Sequence, residues 1–438
     1  MPAISVEDAR SIVLNNVALL EAETVPLLEA TGRAAAEDLR SDIDVSPFAH
    51  SAMDGYALFS ADLASASPED PVILDVVAEV PAGSVFEGVL RHGQCVRIMT
   101  GAPMPLAPAP ADGDSDAAQA ACANGAPDAV VKYEAVEAVS GQGMAGGKVR
   151  FDKPVKPGDN VRKPGEDAKA GQVVVAAGEV ISPAGCGFLA GCGLVQVPVR
   201  RRPRVAVIAI GSELVEPPAL PGPGQIRNSN SYAIAASVQD AGGVPNVLPI
   251  VSDSLEDLEA VVKNAVANHD FIVTTGGASN GDFDFIKPVV ERLGTLLITN
   301  VNVRPGKAQT FGLIEGVPVF GLPGNPGAAY LGFELFIRPA LLKMQGMPHL
   351  ERPSVFARLT CDKKKKDPRR LYMRATLSKA ADGSLDVTPA KSQGSGLFGI
   401  IQKSNCMAVI PEDCTFAPAG TPIRCFILDV PEGVVLPD

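Results

Sequence analysis

FIVTTGGASNGDFD, residues 271–284, decides how the rest of the chain is read. Phe271, Ile272, Val273, Thr274 and Thr275 form a short apolar or β-branched run that predicts a buried strand. Gly276 and Gly277 break it, and the loop ends in Asp282 and Asp284. Phe285, Ile286, Val289 and Val290 then resume helical spacing, so the unit is strand, glycine loop, acidic pair, helix. In an open α/β sheet such a crossing lies at the carboxyl edge, where ligands bind. Gly276, Gly277 and Gly281 let backbone N–H groups approach an anion. Two carboxylates beside them would repel a bare phosphate, so the combination suggests a phosphorylated ligand bridged by Mg²⁺. Gly276 and Gly281 have the spacing of a P-loop, but Asp282-Phe283 stands where Lys-Ser/Thr is required. No G-x-G-x-x-G follows this strand, so a dinucleotide fingerprint is absent from the unit.

Outward from this loop, residues 204–345 alternate strands with helices, which predicts a parallel sheet covered on both faces. RVAVIAI suits a fully buried parallel strand. Other strand ends carry similar chemistry: Glu213 in GSEL, Asp253 after VLPIV, and Arg304 and Lys307 in RPGKAQ. In GLPGNPGAA, Asn325 is placed to cap a helix with Pro326 at its first position, an anion site beside Pro323 and Gly324.

The flanks read differently. Residues 4–20 predict an amphipathic helix with Ser5 as N-cap, and residues 30–39 a second short helix. SPFAHSAMDGYAL (46–58) is a loop pinned to a core and carries Asp54; Glu166-Asp167 is a second acidic pair among Pro-Gly turns. Residues 72–104 alternate as strands. Residues 106–128 are low-complexity and read as a surface insertion. KKKKDPRR (363–370) reads as a solvated turn, and 347–438 otherwise as a small β-barrel or sandwich.

The 438 residues have 46% apolar content and a net charge of −12, which argues against nucleic acid or an anionic membrane as partner. Eight scattered cysteines without a C-x-x-C pair give no zinc pattern and fit a reduced, cytoplasmic protein. The first residues lack a signal-peptide apolar stretch, and no run approaches membrane-spanning length.

SPFAHSAMDGYAL, RIMTGAPMP, PGEDAKAG, IGSEL, GQIRNSNSY, TTGGASNGDFDFIK, RPGKAQTFG, FGLPGNPGAAYLGFELFIRPAL and QGSGLFGIIQKSN occur in one order over residues 46–405. In this set the chain resembles the molybdopterin molybdenumtransferase family, which includes the E domain of gephyrin. The resemblance implies an elongated multidomain subunit. Residues 1–45 and 152–198 would form an N-terminal linking domain and 46–151 a β-rich inserted domain. A three-layer α/β molybdopterin-binding domain would span 199–346, and a C-terminal β-barrel-like domain 347–438. It further implies a homodimer with sites between subunits, and contact with other proteins of molybdenum cofactor biosynthesis. In that family molybdate replaces copper on the dithiolene of adenylylated molybdopterin, and Mg²⁺-dependent cleavage of the pyrophosphate bond releases AMP.

Carried onto this sequence, the implied catalytic residues are Asp54, Thr100, Asp167, Glu213 and Asp284, with Asp253, Asp284 and Glu213 toward the metal. Gly276, Gly277, Ser279, Gly281, Arg304, Lys307, Pro323, Gly324, Asn325, Pro326 and Ser395 would bind substrate or anion. One of Arg369, Arg370 or Arg374 would complete the site. Several positions depart from the family pattern: His50 for Asn, Ser212 for Asp, Ala278 and Asn280 in the glycine loop, Asn300 for a lysine that some members carry, and Arg304 for Lys, which keeps charge but changes geometry. Two rival functions are a non-catalytic scaffold of the gephyrin type, and insertion of tungstate.

Overall fold

The computed structural model describes residues 3–106, 125–277 and 285–428. The acidic end of the glycine loop (Ser279, Gly281, Asp282, Asp284) and most of the 106–128 insertion lie outside the described residues.

Strand Phe271–Thr275 is buried along its whole length at the middle of a six-stranded sheet. Its parallel neighbours are Arg204–Ala209, paired Val205↔Phe271 to Ala209↔Thr275, and Val317–Leu322. Val244–Val247 pairs in parallel beyond Arg204–Ala209. The expected parallel order holds for these four strands. Ala308–Ile314 and Thr295–Asn300 complete the sheet antiparallel. The reason is local: only Glu315 and Gly316 separate Ile314 from Val317, and both have positive φ (50° and 81°). Two such residues close a hairpin, whereas a parallel return needs a long crossover.

Period-two alternation sends side chains to opposite faces of this sheet. Val205, Val207, Phe271 and Val273 enter one core with helices Asn230–Asp240 and Arg338–Met344. Ala206, Ile208 and Ile272 enter the other with helices Leu255–Asn268 and Ile286–Leu293. Three layers result. The N-terminal helix joins the first core through Val6, Ala9 and Val13. Ser5 caps it as expected, its Oγ accepting from the Asp8 N–H at 3.0 Å, but the helix stops at Asn15 rather than near residue 20.

The helix expected over residues 30–39 is absent. A 3₁₀ turn, Leu27–Ala30, is cut off by Thr31 and Gly32 (φ 77°), and Leu39–Arg40 is a short strand. A second six-stranded sheet holds Gly55–Leu58 between Ala129–Lys132 and Gln94–Ile98. A Cβ on Gly55 would lie 2.2 Å from the Val131 carbonyl oxygen, so the strand after Asp54 packs this closely only with glycine.

In the C-terminal part five strands, Ser354–Leu359, Arg370–Lys379, Leu385–Pro389, Cys406–Ile410 and Pro422–Ile427, close into a barrel through the pairing of Arg370–Lys379 with Cys406–Ile410. Val303–Arg304 attaches in parallel to its rim at Arg370 and Leu371. That pairing ties the RPGK loop of the α/β unit to the barrel.

Candidate functional site

At the carboxyl edge of the central sheet, Gly276 turns the chain with φ 82°. A Cβ there would lie 2.2 Å from the Ile210 carbonyl oxygen, so the residue must be glycine for two separate reasons, sterics and φ. Gly277 (φ 60°) accepts at its carbonyl from the Phe285 N–H at 2.9 Å, closing the base of the loop. The Gly324 backbone packs against Gly276; a Cβ on Gly324 would lie 3.6 Å from the Gly276 Cα. A small cavity here is lined by Glu213, Arg227, Asn228, Asn230, Gly276 and Pro326 among others.

Glu213 and Asp253 are both exposed on this edge. The Glu213 carboxylate folds over Gly211, occupying the space a side chain there would need. Asp253 and Ser212 bond reciprocally: Ser212 N–H donates to Asp253 Oδ2 at 3.0 Å, and Asp253 N–H to Ser212 Oγ at 3.1 Å. Pro323 is buried where the strand ends. Asn325 occupies the N-cap position and Pro326 the first helical position of Pro326–Gly332, as expected, but the Asn325 side chain makes no capping bond. Its carbonyl accepts instead, from Ala328 and Ala329. That leaves its amide on the exposed face of the loop.

The second part is a cleft of about 560 Å³ between the RPGK loop and the barrel. Ser395 reaches the α/β unit directly, its carbonyl accepting from Gly327 N–H at 2.6 Å. Of the three candidate arginines, two are engaged elsewhere. Arg369 forks onto Asp367 (Nε to Oδ1, 2.8 Å), and Arg370 joins Glu412 at 3.1 Å and Glu7. Arg369 holds Asp367 well below the usual carboxylate range. Arg374 has no carboxylate partner among the described residues, and it is 1% exposed. Its Nη2 donates to the Gly394 carbonyl at 3.1 Å, while Nε and Nη1 have no acceptor among the described residues. Burial pushes its pKa down. Gln393 brackets its backbone, accepting from Arg374 N–H at 3.0 Å and donating to its carbonyl at 2.9 Å. A buried guanidinium with two donors unpaired among the described residues, in the cleft that Ser395 also lines, has donor capacity that an anion could use. Arg304 lines the same cleft, 3.6 Å from Asp367; Lys307 is exposed beyond it.

Asp54 and Thr100 form the third part. Asp54 Oδ1 accepts from both the Thr100 N–H and its hydroxyl, each at 2.7 Å. The Thr100 N–H first, and the hydroxyl second, lower the Asp54 pKa. Asp167 donates its N–H to the Val45 carbonyl at 3.1 Å and is exposed. Among the described residues no hydrogen bond or ion pair links Asp54, Thr100 or Asp167 to the sheet edge or the basic cleft.

Three family models match in chain order: MoeA N-terminal region (domain I and II) over residues 4–193, probable molybdopterin binding domain over 206–343, and MoeA C-terminal region (domain IV) over 357–428. The molybdopterin molybdenumtransferase of Bacillus subtilis is 36% identical over 415 residues, covering 93% of this chain and 90% of that protein. The chain belongs to the molybdopterin molybdenumtransferase family. Molybdopterin molybdenumtransferase 2 of Mycobacterium tuberculosis is 33% identical, covering 97% and 99% respectively. The crystal structure of the molybdopterin biosynthesis MoeA protein from Pyrococcus horikosii superposes with a TM-score of 0.80 at 31% identity, covering 98% of this chain and all of that one.

Within this molybdopterin molybdenumtransferase fold, sequence reasoning passed over Asn228 and Asn230 as single residues. Asn230 Nδ2 donates to the Gly324 carbonyl at 2.8 Å, fixing the Gly324 loop to helix Asn230–Asp240. Asn228 is 1% exposed at the cavity wall, and its Nδ2 has no hydrogen-bond partner among the described residues. Their only signal was the N-S-N spacing before a helix. Lys365 was also misread as part of a solvated turn: it is buried, and its Nζ donates to the carbonyls of Arg369 (3.1 Å) and Glu412 (2.9 Å).

Among the described residues no three His, Cys, Asp or Glu side chains gather to hold a metal ion. Glu213 and Asp253 supply hard oxygen donors beside the glycine loop. Mg²⁺ is held through one or two carboxylates plus substrate phosphates, so this donor set fits that ion and not a closed protein cage. No helix among the described residues is long and apolar enough to cross a membrane.

Proposed function

We propose that the chain inserts molybdate into adenylylated molybdopterin and releases AMP. The observation that carries this reading is Arg374, a buried guanidinium with two donors unsatisfied among the described residues, in the same cleft as Ser395 and near Gly327, just after the loop that packs on Gly276. A desolvated cation of this kind binds a tetrahedral dianion far more strongly than an exposed lysine would. Arg374 and Ser395 hold the incoming oxyanion, with Arg304 adding charge at the mouth. Gly276 and Gly277 approach the pyrophosphate through the backbone, with Ser279 and Gly281 carried over from the family as further binding residues, and Pro323, Gly324, Asn325 and Pro326 shape the opposite wall. Asp253 and Glu213, with Asp284 carried over from the family, would hold Mg²⁺. The ion's contribution is to offset the pyrophosphate charge. Asn230 keeps the Gly324 loop in register with the cavity.

Among the described residues no hydrogen bond or ion pair links Asp54, Thr100 or Asp167 to this edge in one chain, which supports a homodimer in which a second copy supplies them. The two bonds from Thr100 favour the ionised form of Asp54, which suits it to accept a hydrogen bond at the reacting group. A cytoplasmic setting, and contact with other proteins of cofactor synthesis, follow from this reading.

Steady-state AMP release by Asp253→Asn tests the metal assignment. The variant is expected to fold, to lose at least about tenfold in rate at limiting Mg²⁺, and to recover partly as Mg²⁺ is raised. Wild-type turnover at limiting Mg²⁺ would place the metal elsewhere.

A further inference from the structure

Arg374 belongs to the barrel and the glycine loop to the α/β unit, so their relation depends on how the two parts are held together. Part of that hold is apolar: Tyr372 and Met407 of the barrel enter the core that contains Leu331 and Leu335. Apolar burial is non-directional, so it sets contact without setting an angle. Directional contacts come from one helical stretch, made of Pro326–Gly332, the π turn Phe333–Ile337 and Arg338–Met344.

Near the start of that stretch, Gly327 N–H donates to the Ser395 carbonyl at 2.6 Å. Seven residues later, Glu334 receives a fork from Arg352: Nε to Oε2 at 2.9 Å and Nη2 to Oε1 at 3.1 Å. Arg352 stands just ahead of the barrel strand Ser354–Leu359. Seven helical residues make nearly two full turns, so Gly327 and Glu334 share a face, roughly 10 Å apart. The Glu334 side chain is 6% exposed and that of Arg352 19%. Arg352 Nη2 also donates to Asp240 Oδ2 at 3.0 Å, which ties in helix Asn230–Asp240. Beside the fork lies an open cleft of about 600 Å³, bordered by Asp240, Tyr330, Glu334, Arg352 and the barrel's Phe398 and Ile401. The fork therefore spans a junction that side chains do not fill.

We propose that Arg352 is a positioning residue: its fork onto Glu334, together with the Gly327–Ser395 bond two turns away, fixes the angle at which the barrel brings Arg374 to the sheet edge. Two contacts along one helix face define an orientation, where one contact would leave a pivot. A guanidinium forked onto a carboxylate holds direction as well as distance, and burial protects the pair from screening by salt. The consequence for anion binding rests on the reading of Arg374 as an oxyanion ligand; the positioning of the barrel does not.

Hydrogen exchange of the full chain, read at the Gly327 N–H and over residues 392–397, tests the positioning without any ligand. Arg352→Met/Glu334→Leu replaces both partners of a buried pair, which costs little stability, whereas Arg352→Met alone strands a buried carboxylate. The double variant should melt near the parent and exchange about tenfold faster at these sites. Arg352→Lys keeps the charge but loses the fork, and should give a smaller rise. A merely structural role would lower the melting temperature without singling out these amides. Parental exchange at Gly327 and 392–397 in both variants overturns the proposal. Calorimetry with sodium molybdate then reads the effect at the site, where the double variant should bind about fivefold more weakly. Arg374→Gln, run in parallel, keeps the two readings apart. If it binds molybdate like the parent, the oxyanion reading fails and the exchange result alone decides the role of Arg352. If it loses affinity and the double variant does not, Arg352 does not position Arg374 and the proposal fails.

Discussion

Gly327 N–H donates to the Ser395 carbonyl at 2.6 Å, and through this bond the barrel's QGSG loop meets the helix Pro326–Gly332 at the end of the sheet. A Cβ on Gly327 would lie 3.1 Å from the Ser395 oxygen and 3.4 Å from Arg374 Nη1. Glycine therefore sets how near the barrel's arginine comes to the sheet edge.

Gly327→Ala should push the Ser395 loop outward by a few tenths of an ångström and misplace Arg374. Molybdate affinity, measured by calorimetry, should fall about tenfold, because hydrogen bonds to a charged group depend steeply on geometry. Stability should change by no more than about 1 kcal/mol, as the neighbour is a loop that can shift. Unchanged affinity would show that the two parts do not share a ligand.

Arg374→Gln should separate binding from stability. The buried guanidinium has no counter-ion among the described residues, so its removal relieves a desolvation cost. The melting temperature should hold or rise while molybdate affinity drops at least about tenfold, equivalent to about 1.4 kcal/mol. Arg369→Gln should leave Asp367 with Arg304 alone and affect affinity less. Equal loss in both variants would remove the distinction drawn between them.

Gly276→Ala forces a left-handed backbone and a 2.2 Å contact with the Ile210 carbonyl onto one residue. The neighbour is backbone at the end of the central strand Arg204–Ala209 and cannot yield cheaply. Denaturant unfolding should show a loss of at least about 2 kcal/mol. A parental midpoint would mean the loop turns differently.

Thr100→Val removes the hydroxyl donor from Asp54 and leaves the N–H donor. The Asp54 pKa is depressed in the folded chain, so its carboxylate stays ionised well into acid, and the stabilisation from its bonds is lost only as pH falls through that depressed value. The variant should move the titration upward toward the ordinary value of about 3.9, read by carboxyl-carbon NMR. An unmoved titration would show that the N–H bond alone sets it.

The sheet was legible because its strands are continuous apolar runs such as RVAVIAI and FIVTT, and each is followed by a helix with its own periodicity. The antiparallel pair at 308–322 escaped notice because a two-residue Glu-Gly turn is a weak signal beside the surrounding α/β pattern. Residues 30–39 looked helical by alanine content, but Gly32 at positive φ outweighs three alanines. In the site, glycine and proline positions could be read directly, since backbone constraint leaves a mark on residue type. The choice among Arg369, Arg370 and Arg374 could not. It depends on which carboxylates lie nearby, and Asp367, Glu412 and Glu7 come from three different places in the chain. Lys365 failed for the same reason: its burial is decided by the carbonyl of Glu412, forty-seven residues away.

AMP release from adenylylated molybdopterin, followed with and without molybdate and with and without Mg²⁺, tests the central claim most directly. The account predicts release only when both ions are present, since the oxyanion is the incoming group and the pyrophosphate needs its charge offset. Release at the full rate with neither ion would contradict it.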